Sequence, residues 1–229
     1  MHTSPQLVRT PVVPGANGTN GHAPRGRSEQ LSAGEQQLAR TAAAFRAFLE
    51  SLGLDPADPN LAGTDMRVAR AYRELLAGLA EDAEPGLTVF PNTERHSGIV
   101  QVTGIPFYSL CAHHFLPFFG VAHVGYVPGE RLVGLSKLGR VVDYYARRPQ
   151  LQEHLTEQIA TLLDQRLAPR GVMVLLEARH MCMEMRGVSK PNVTTTTTAV
   201  RGILQDERTQ QQFYARLRVN DARNSSSSI

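Results

Sequence analysis

Apolar residues recur at helical spacing through the first third of the chain and at strand-like density after it. Leu38, Ala42, Phe45, Leu49 and Leu52 lie three or four residues apart and predict an amphipathic helix. Ser32 and Glu35 ahead of them form the S-x-x-E pattern of a capping box, and Gly53 ends the run. After Pro56 and Pro59, Thr64 is placed to cap a second helix carrying Val68, Tyr72, Leu75, Leu76 and Leu79. Pro85, Gly86 and Pro91 then break the helical pattern. Ile99, Val100, Val102 and Ile105 predict a strand running towards Cys111, and Phe118 to Val127 a second one. Pro128-Gly129 turns the chain. Ser136 is placed to cap a helix with Leu138, Val141, Val142 and Tyr145, which Pro149 interrupts. Leu151, Leu155, Ile159, Leu162 and Leu163 mark a longer helix to about Leu167. Strands are predicted over Val172 to Met183 and Asn192 to Val200, and Asp206 opens a short helix with Phe213 and Leu217. This order of elements predicts an α+β fold, an antiparallel sheet with helices on one face. No internal repeat is apparent.

Composition narrows the class. The 229 residues are 41% hydrophobic, enough for a core, and fit one domain with appendages. The net charge of +3 is too mild to indicate nucleic acid or a membrane surface, despite a pI near 9.1. No apolar run approaches the roughly 20 residues of a membrane span. Met1 to Arg27 is rich in Pro, Gly, Asn and Thr and has no continuous apolar signal core. The expected boundaries are a disordered arm over 1–31, a helical region over 32–92, a sheet-containing domain over 93–219 and a disordered tail over 220–229. The absent signal and the reduced thiols predict a cytoplasmic location.

The chain has two cysteines, and each lies beside histidine: Cys111-Ala112-His113-His114 and His180-Met181-Cys182. Thiolate and imidazole are preferred zinc ligands. Three ligands leave a position open for water, as in a catalytic site; four close it, as in a structural one. A disulfide would leave the flanking histidines unexplained. Cys111 and His114 are spaced for one turn to present both, and on a strand His180 and Cys182 would share a face. Spacing does not rank His113, His114 and His180 as ligands; one that does not bind would stand beside the metal as a proton donor or acceptor.

Two further groups carry chemistry. Gly134-Leu135-Ser136-Lys137-Leu138-Gly139-Arg140 places serine and two cations at a helix start, where free N–H groups favour phosphate; a solvated basic face is the plainer reading. Arg186, Arg67 and Arg70 add positive charge. Glu153, after Gln152, has a carboxylate able to accept two N–H bonds from a guanine edge, although first-turn acids are common for dipole reasons alone.

Together these segments resemble the GTP cyclohydrolase I family. The match runs from about Ser109 to Leu217 and weakly back to Thr64. It rests on Cys111 to His114, Gly125 to Pro128, Gly134 to Lys137, Arg147 to Glu153, and His180 to Met183 with Arg186-Gly187. The resemblance implies a tunnelling fold: a four-stranded antiparallel sheet backed by helices, with an N-terminal helical arm. It also implies pentamers that stack into a homodecamer with active sites between subunits. By position, Cys111, His114 and Cys182 align with the zinc ligands and His113 and His180 with the catalytic histidines. Gln152 and Glu153 align with guanine-recognition residues. Ser136, Lys137, Arg140 and Arg186 align with residues around the ribose and triphosphate, and Arg67 with another phosphate contact.

The implied reaction turns GTP and water into 7,8-dihydroneopterin triphosphate and formate, the first step of pterin and folate biosynthesis. Zinc would activate water for attack at purine C8, with His113 protonating N7. His180 would assist ribose opening and Ser136 the later rearrangement. Three departures stand out: Ala112 where the family usually has an acid, His154 where it has Arg, and Arg70 where it has Lys. They leave two alternatives, a specialised secondary-pathway paralogue and a nucleotide-binding homologue without turnover.

Overall fold

The computed structural model describes residues 31–80 and 82–226, with side chains to residue 217. The arm expected over 1–31 therefore lies outside the described residues except for Leu31. The first helix, α1 (Ala33–Ser51), begins at the predicted capping box. Glu35 N–H donates to Ser32 Oγ at 3.4 Å, and Ser32 N–H donates to Glu35 Oε2 at 2.8 Å. The second, α2 (Thr64–Leu75), starts differently from expectation: Gly63, with φ of 71°, is the cap, and Thr64 is already helical. The Thr64 hydroxyl instead accepts from Arg67. A 3-10 turn over Ala77–Leu79 ties these helices to the rest. Gly78 N–H donates to Arg147 O at 3.0 Å, and Arg148 Nε donates back to Gly78 O at 2.9 Å. A Cβ at Gly78 would lie 2.2 Å from Tyr144 O, so this contact requires glycine.

Two sheets follow. A small antiparallel pair joins β1 (Val89–Pro91) to β4 (Arg131–Val133). The main sheet contains β2 (Val100–Cys111), β3 (Pro117–Val127), β5 (Pro149–Gln150), β6 (Gly171–His180) and β7 (Thr195–Gly202), ordered β5-β2-β3-β6-β7. The four long strands are antiparallel as expected. The fifth, unforeseen because two residues carry no periodicity, pairs parallel with β2 through Leu110–Pro149 and Cys111–Gln150. The sheet thus has five strands, where four were expected.

Side chains alternate between the two faces of the sheet. Phe118, Ala122, Val124 and Tyr126 of β3 and Val172, Val174 and Leu176 of β6 face α3 (Leu135–Ala146) and α4 (Gln152–Leu167). Leu155, Ile159, Leu163 and Leu167 bring the apolar side of α4 onto this layer, all essentially inaccessible. The opposite face is not bare, contrary to the one-sided expectation. Val127, Met173 and Leu175 pack there against Phe213 of α6 (Glu207–Ser226). Phe213 fits because β3 has a glycine beneath it; a Cβ at Gly125 would come within 2.8 Å of its ring. Burying such a ring contributes about 1.5–3 kcal/mol. The last helix is longer than the short one predicted and continues past residue 220, where a tail was expected. Residues 207–226 contain neither Gly nor Pro, so nothing local stops the helix. Residues 227–229 lie outside the described set.

Candidate metal centre and active site

The β2–β3 hairpin and the end of β6 build the site. After Cys111 the chain turns tightly: His114 and Phe115 N–H both donate to Cys111 O, at 3.3 and 2.8 Å. Phe115 takes a φ of 53° to close the turn, and Cys111 N–H donates to Leu116 O at 2.9 Å. The two-residue β5 clamps this loop from outside, with Ala112 N–H donating to Gln150 O at 2.9 Å. Gln150 is itself held by bonds from its amide to Tyr145 O and Gln158 Oε1, both at 2.8 Å. Cys111 is buried, while His113 and His114 are exposed.

Cys182 does not lie on the predicted strand. The β6 ladder ends at the Phe118–His180 pair, because Pro117 begins β3 and has no N–H to extend it. The chain then turns into α5 (Met181–Glu184), a single helical turn. Arg179 stabilises that turn, donating through Nε and Nη2 to the two Glu184 carboxylate oxygens at 2.8 and 2.5 Å. His180 and Cys182 therefore do not share a strand face as expected.

This turn brings Cys182 to the hairpin. The ligand atoms of Cys111, His114 and Cys182 all lie within 4.8 Å of one another, and Cys111 Sγ is 3.9 Å from His114 Nδ1. Both cysteines are free thiols, which removes the disulfide alternative. Burial pushes the Cys182 thiol up, and the neighbouring Cys111 pushes it further; Arg186 opposes. Two thiols held together in this way suit a divalent cation, because coordination deprotonates both and turns repulsion into attraction. His113 is not in this cluster. Its ring lies edge-on to that of His114, with centroids 6.2 Å apart.

His180 is the N-cap of α5, two residues before Cys182. Its ring stacks on Phe118, with centroids 4.6 Å apart and planes within 2°. Its Nε2 is 2.7 Å from Gln152 Oε1. Burial lowers its pKa, and the carboxylate of exposed Glu153 acts in the opposite direction. Gln152 itself is buried at the start of α4.

Of the phosphate candidates, Ser136, Lys137 and Arg140 lie on α3 and Arg67 on α2. Gly134, not Ser136, occupies the cap position of α3, and no side chain caps it. Ser136 is thus an exposed first-turn residue, next to half-buried Lys137 and one turn from exposed Arg140. Arg67 donates to Ala62 O and Thr64 Oγ1 of its own helix start, at 3.0 and 2.6 Å. Among the described residues, no hydrogen bond or ion pair joins Ser136, Lys137, Arg140 or Arg67 to the Cys-His-Cys cluster. Arg186 reaches it through its charge on Cys182.

A sequence profile of GTP cyclohydrolase I matches residues 41–218 of the chain. The chain belongs to the GTP cyclohydrolase I family. A GTP cyclohydrolase 1 from Mycobacteroides abscessus is 56% identical over 167 residues, covering 72% of this chain and 81% of its own. One from Mycolicibacterium paratuberculosis is 53% identical over 187 residues, covering 80% and 90%. Among solved structures, an apo archaeosine synthase QueF-Like aligns with a TM-score of 0.39 and 18% identity over 46% of this chain and 94% of that one, too distant a likeness to carry a conclusion.

Within this GTP cyclohydrolase I family member, reading the sequence missed four supporting residues. Phe118 stacks on His180, Gln150 clamps the loop after Cys111, and Arg179 with Glu184 fixes the Cys182 turn. Phe118 and Gln150 act on residues brought near by strand pairing, and Arg179 meets Glu184 because the chain coils where β6 ends. The Ala112 departure costs the loop no backbone contact, since the N–H donated to Gln150 O is available to any residue but proline. His154 and Arg70 are both exposed.

Proposed function

We propose that the chain is a zinc-dependent GTP cyclohydrolase I, converting GTP and water to 7,8-dihydroneopterin triphosphate and formate at the head of pterin and folate synthesis. The convergence of Cys111, His114 and Cys182 beside two further histidines is the observation that carries this reading. Two thiolates and an imidazole are a soft donor set suited to zinc, and three ligands leave a position open. Zinc bound there supplies Lewis-acid activation of water near neutral pH.

The chain's own residues have these roles. His113, exposed next to ligand His114, donates a proton to purine N7 as the imidazole ring opens. His180, held by Phe118 and Gln152, moves protons during ribose opening. Ser136 assists the rearrangement that precedes closure to the pterin. Glu153 accepts hydrogen bonds from guanine N1–H and the 2-amino group, and its exposure beside His180 supports this. Lys137, Arg140 and Arg186 bind the triphosphate, aided by the uncapped start of α3. Arg67 adds a further phosphate contact by exchanging its bonds to Ala62 O and Thr64 Oγ1 for the ligand.

The reading includes a tunnelling fold assembled as two stacked pentamers. The outer edge of β7 supports it: among the described residues no strand pairs with that edge, and an eight-residue edge strand calls for a partner. Turnover is tested by oxidising the products and measuring neopterin fluorescence for the zinc-loaded protein, His113→Ala and His180→Ala. Each histidine substitution is expected to cost on the order of 100-fold or more. Undiminished neopterin from both variants would refute the assignment.

A further inference from the structure

Gln152 aligns with a guanine-recognition residue, yet its side chain is only 2% exposed and its polar atoms are bonded within the chain. Its Nε2 lies 2.9 Å from Thr195 O, 3.2 Å from Leu176 O and 3.2 Å from Thr197 Oγ1. The first two are backbone carbonyls of β7 and β6 and have no proton to give. The amide must therefore turn its NH₂ towards them, since a flipped amide would set oxygen against two oxygens.

The hydroxyls agree with this polarity. Thr156 Oγ1 donates to Gln152 O at 2.7 Å, which uses its one proton. The 2.6 Å Thr156–Thr197 bond must then be donated by Thr197. Thr197 is left as an acceptor towards the Gln152 amide, and every donor in the ring has an acceptor. With NH₂ fixed on that side, Gln152 Oε1 faces His180 Nε2 at 2.7 Å. An amide oxygen only accepts, so Nε2 must carry the proton. In the neutral ring Nδ1 then holds the free lone pair, and among the described residues no hydrogen bond engages it. Phe118 fixes the ring plane.

We infer that Gln152 is a positioning residue for His180, not a guanine contact, and that His180 exchanges protons with substrate through Nδ1. The inference rests on the reading of His180 as a proton-transfer group. It assigns guanine recognition to Glu153 without Gln152, and makes Thr156 and Thr197 part of the support for the active site.

Neutron diffraction from crystals of the full-length zinc-loaded protein without substrate reads the tautomer directly. Deuterium on Nε2 is expected; deuterium on Nδ1 with Nε2 bare would overturn the inference. Kinetics give a second readout. Gln152→Met keeps the length and removes the acceptor. It is expected to lower kcat on the order of 100-fold, with KM for GTP within about twofold of the unaltered protein because uniform substrate binding is kept. A raised KM with kcat intact would identify a guanine contact and overturn the inference. Gln152→Glu still offers a carboxyl oxygen to His180 Nε2–H and is expected to recover most of the lost kcat. Absence of neopterin from the unaltered protein would count against the reaction assigned above; the site of deuteration in substrate-free crystals would still decide the Gln152–His180 geometry.

Discussion

Cys182 reaches Cys111 because the β6 ladder stops at His180 and the chain coils once. That coil is secured by Arg179 and Glu184, so the placing of Cys182 depends on two residues outside the Cys-His-Cys cluster. A serine in place of Cys182 keeps the turn but substitutes a hydroxyl, whose proton is not released near neutral pH. Cys182→Ser is therefore expected to fold yet to fall from about one zinc per chain to near none after dialysis against a mild chelator. Metal content by atomic emission checks this; stoichiometric zinc retained with unchanged affinity would remove Cys182 from the ligand set. His114 is exposed where Cys111 is buried, so the metal would sit at the rim of the hairpin, open to substrate from outside.

At the scale of elements, α6 shows how a local cap supports a distant contact. Asp206 accepts from Thr209 N–H at 3.0 Å and Thr209 Oγ1 at 2.9 Å, and these bonds hold its carboxyl below the ordinary range. A depressed carboxyl contributes stability above its unfolded pKa and loses that contribution as pH falls through the folded pKa. Acidification below the ordinary carboxylate range should thus loosen the first turn of α6, seen as faster amide exchange at Thr209 after correction for the intrinsic rate. Asp206→Asn, which caps without titrating, should abolish that pH dependence; its persistence would contradict the cap.

The helices were legible in the sequence because their apolar residues repeat within one segment, and the Ser32–Glu35 box marked the start of α1 correctly. The long strands were legible from β-branched and aromatic density. What stayed hidden has non-local causes. The end of β6 is set by Pro117 on another strand, β5 exists only through its pairing with β2, and Phe213 docks where a glycine on β3 leaves room. The ligand cluster showed itself through two rare residues each paired with histidine. Gln152 did not, since a glutamine at a helix start looks exposed until β6 and β7 supply the carbonyls that bury it.

For the whole molecule, several surfaces are unusual for a lone chain. Tyr108 is 68% exposed though stacked on Phe119, and among the described residues no strand pairs with the outer edge of β7. An open groove of about 1150 Å³ between α1 and α2, lined by Leu38, Phe45, Val68, Tyr72 and Phe115, ends against the metal loop. Among the described residues no helix is long and apolar enough to cross a membrane. The proposed decamer predicts a particle of about 250 kDa, ten copies of the 25.1 kDa chain, by analytical ultracentrifugation. A fully active species of single-chain mass would contradict sites shared between subunits.

The central claim is that this assembly opens the purine ring of GTP and expels C8. Zinc-loaded full-length protein given GTP labelled at C8 is predicted to release labelled formate, one equivalent for each GTP consumed. GTP that is bound or consumed without labelled formate would contradict it.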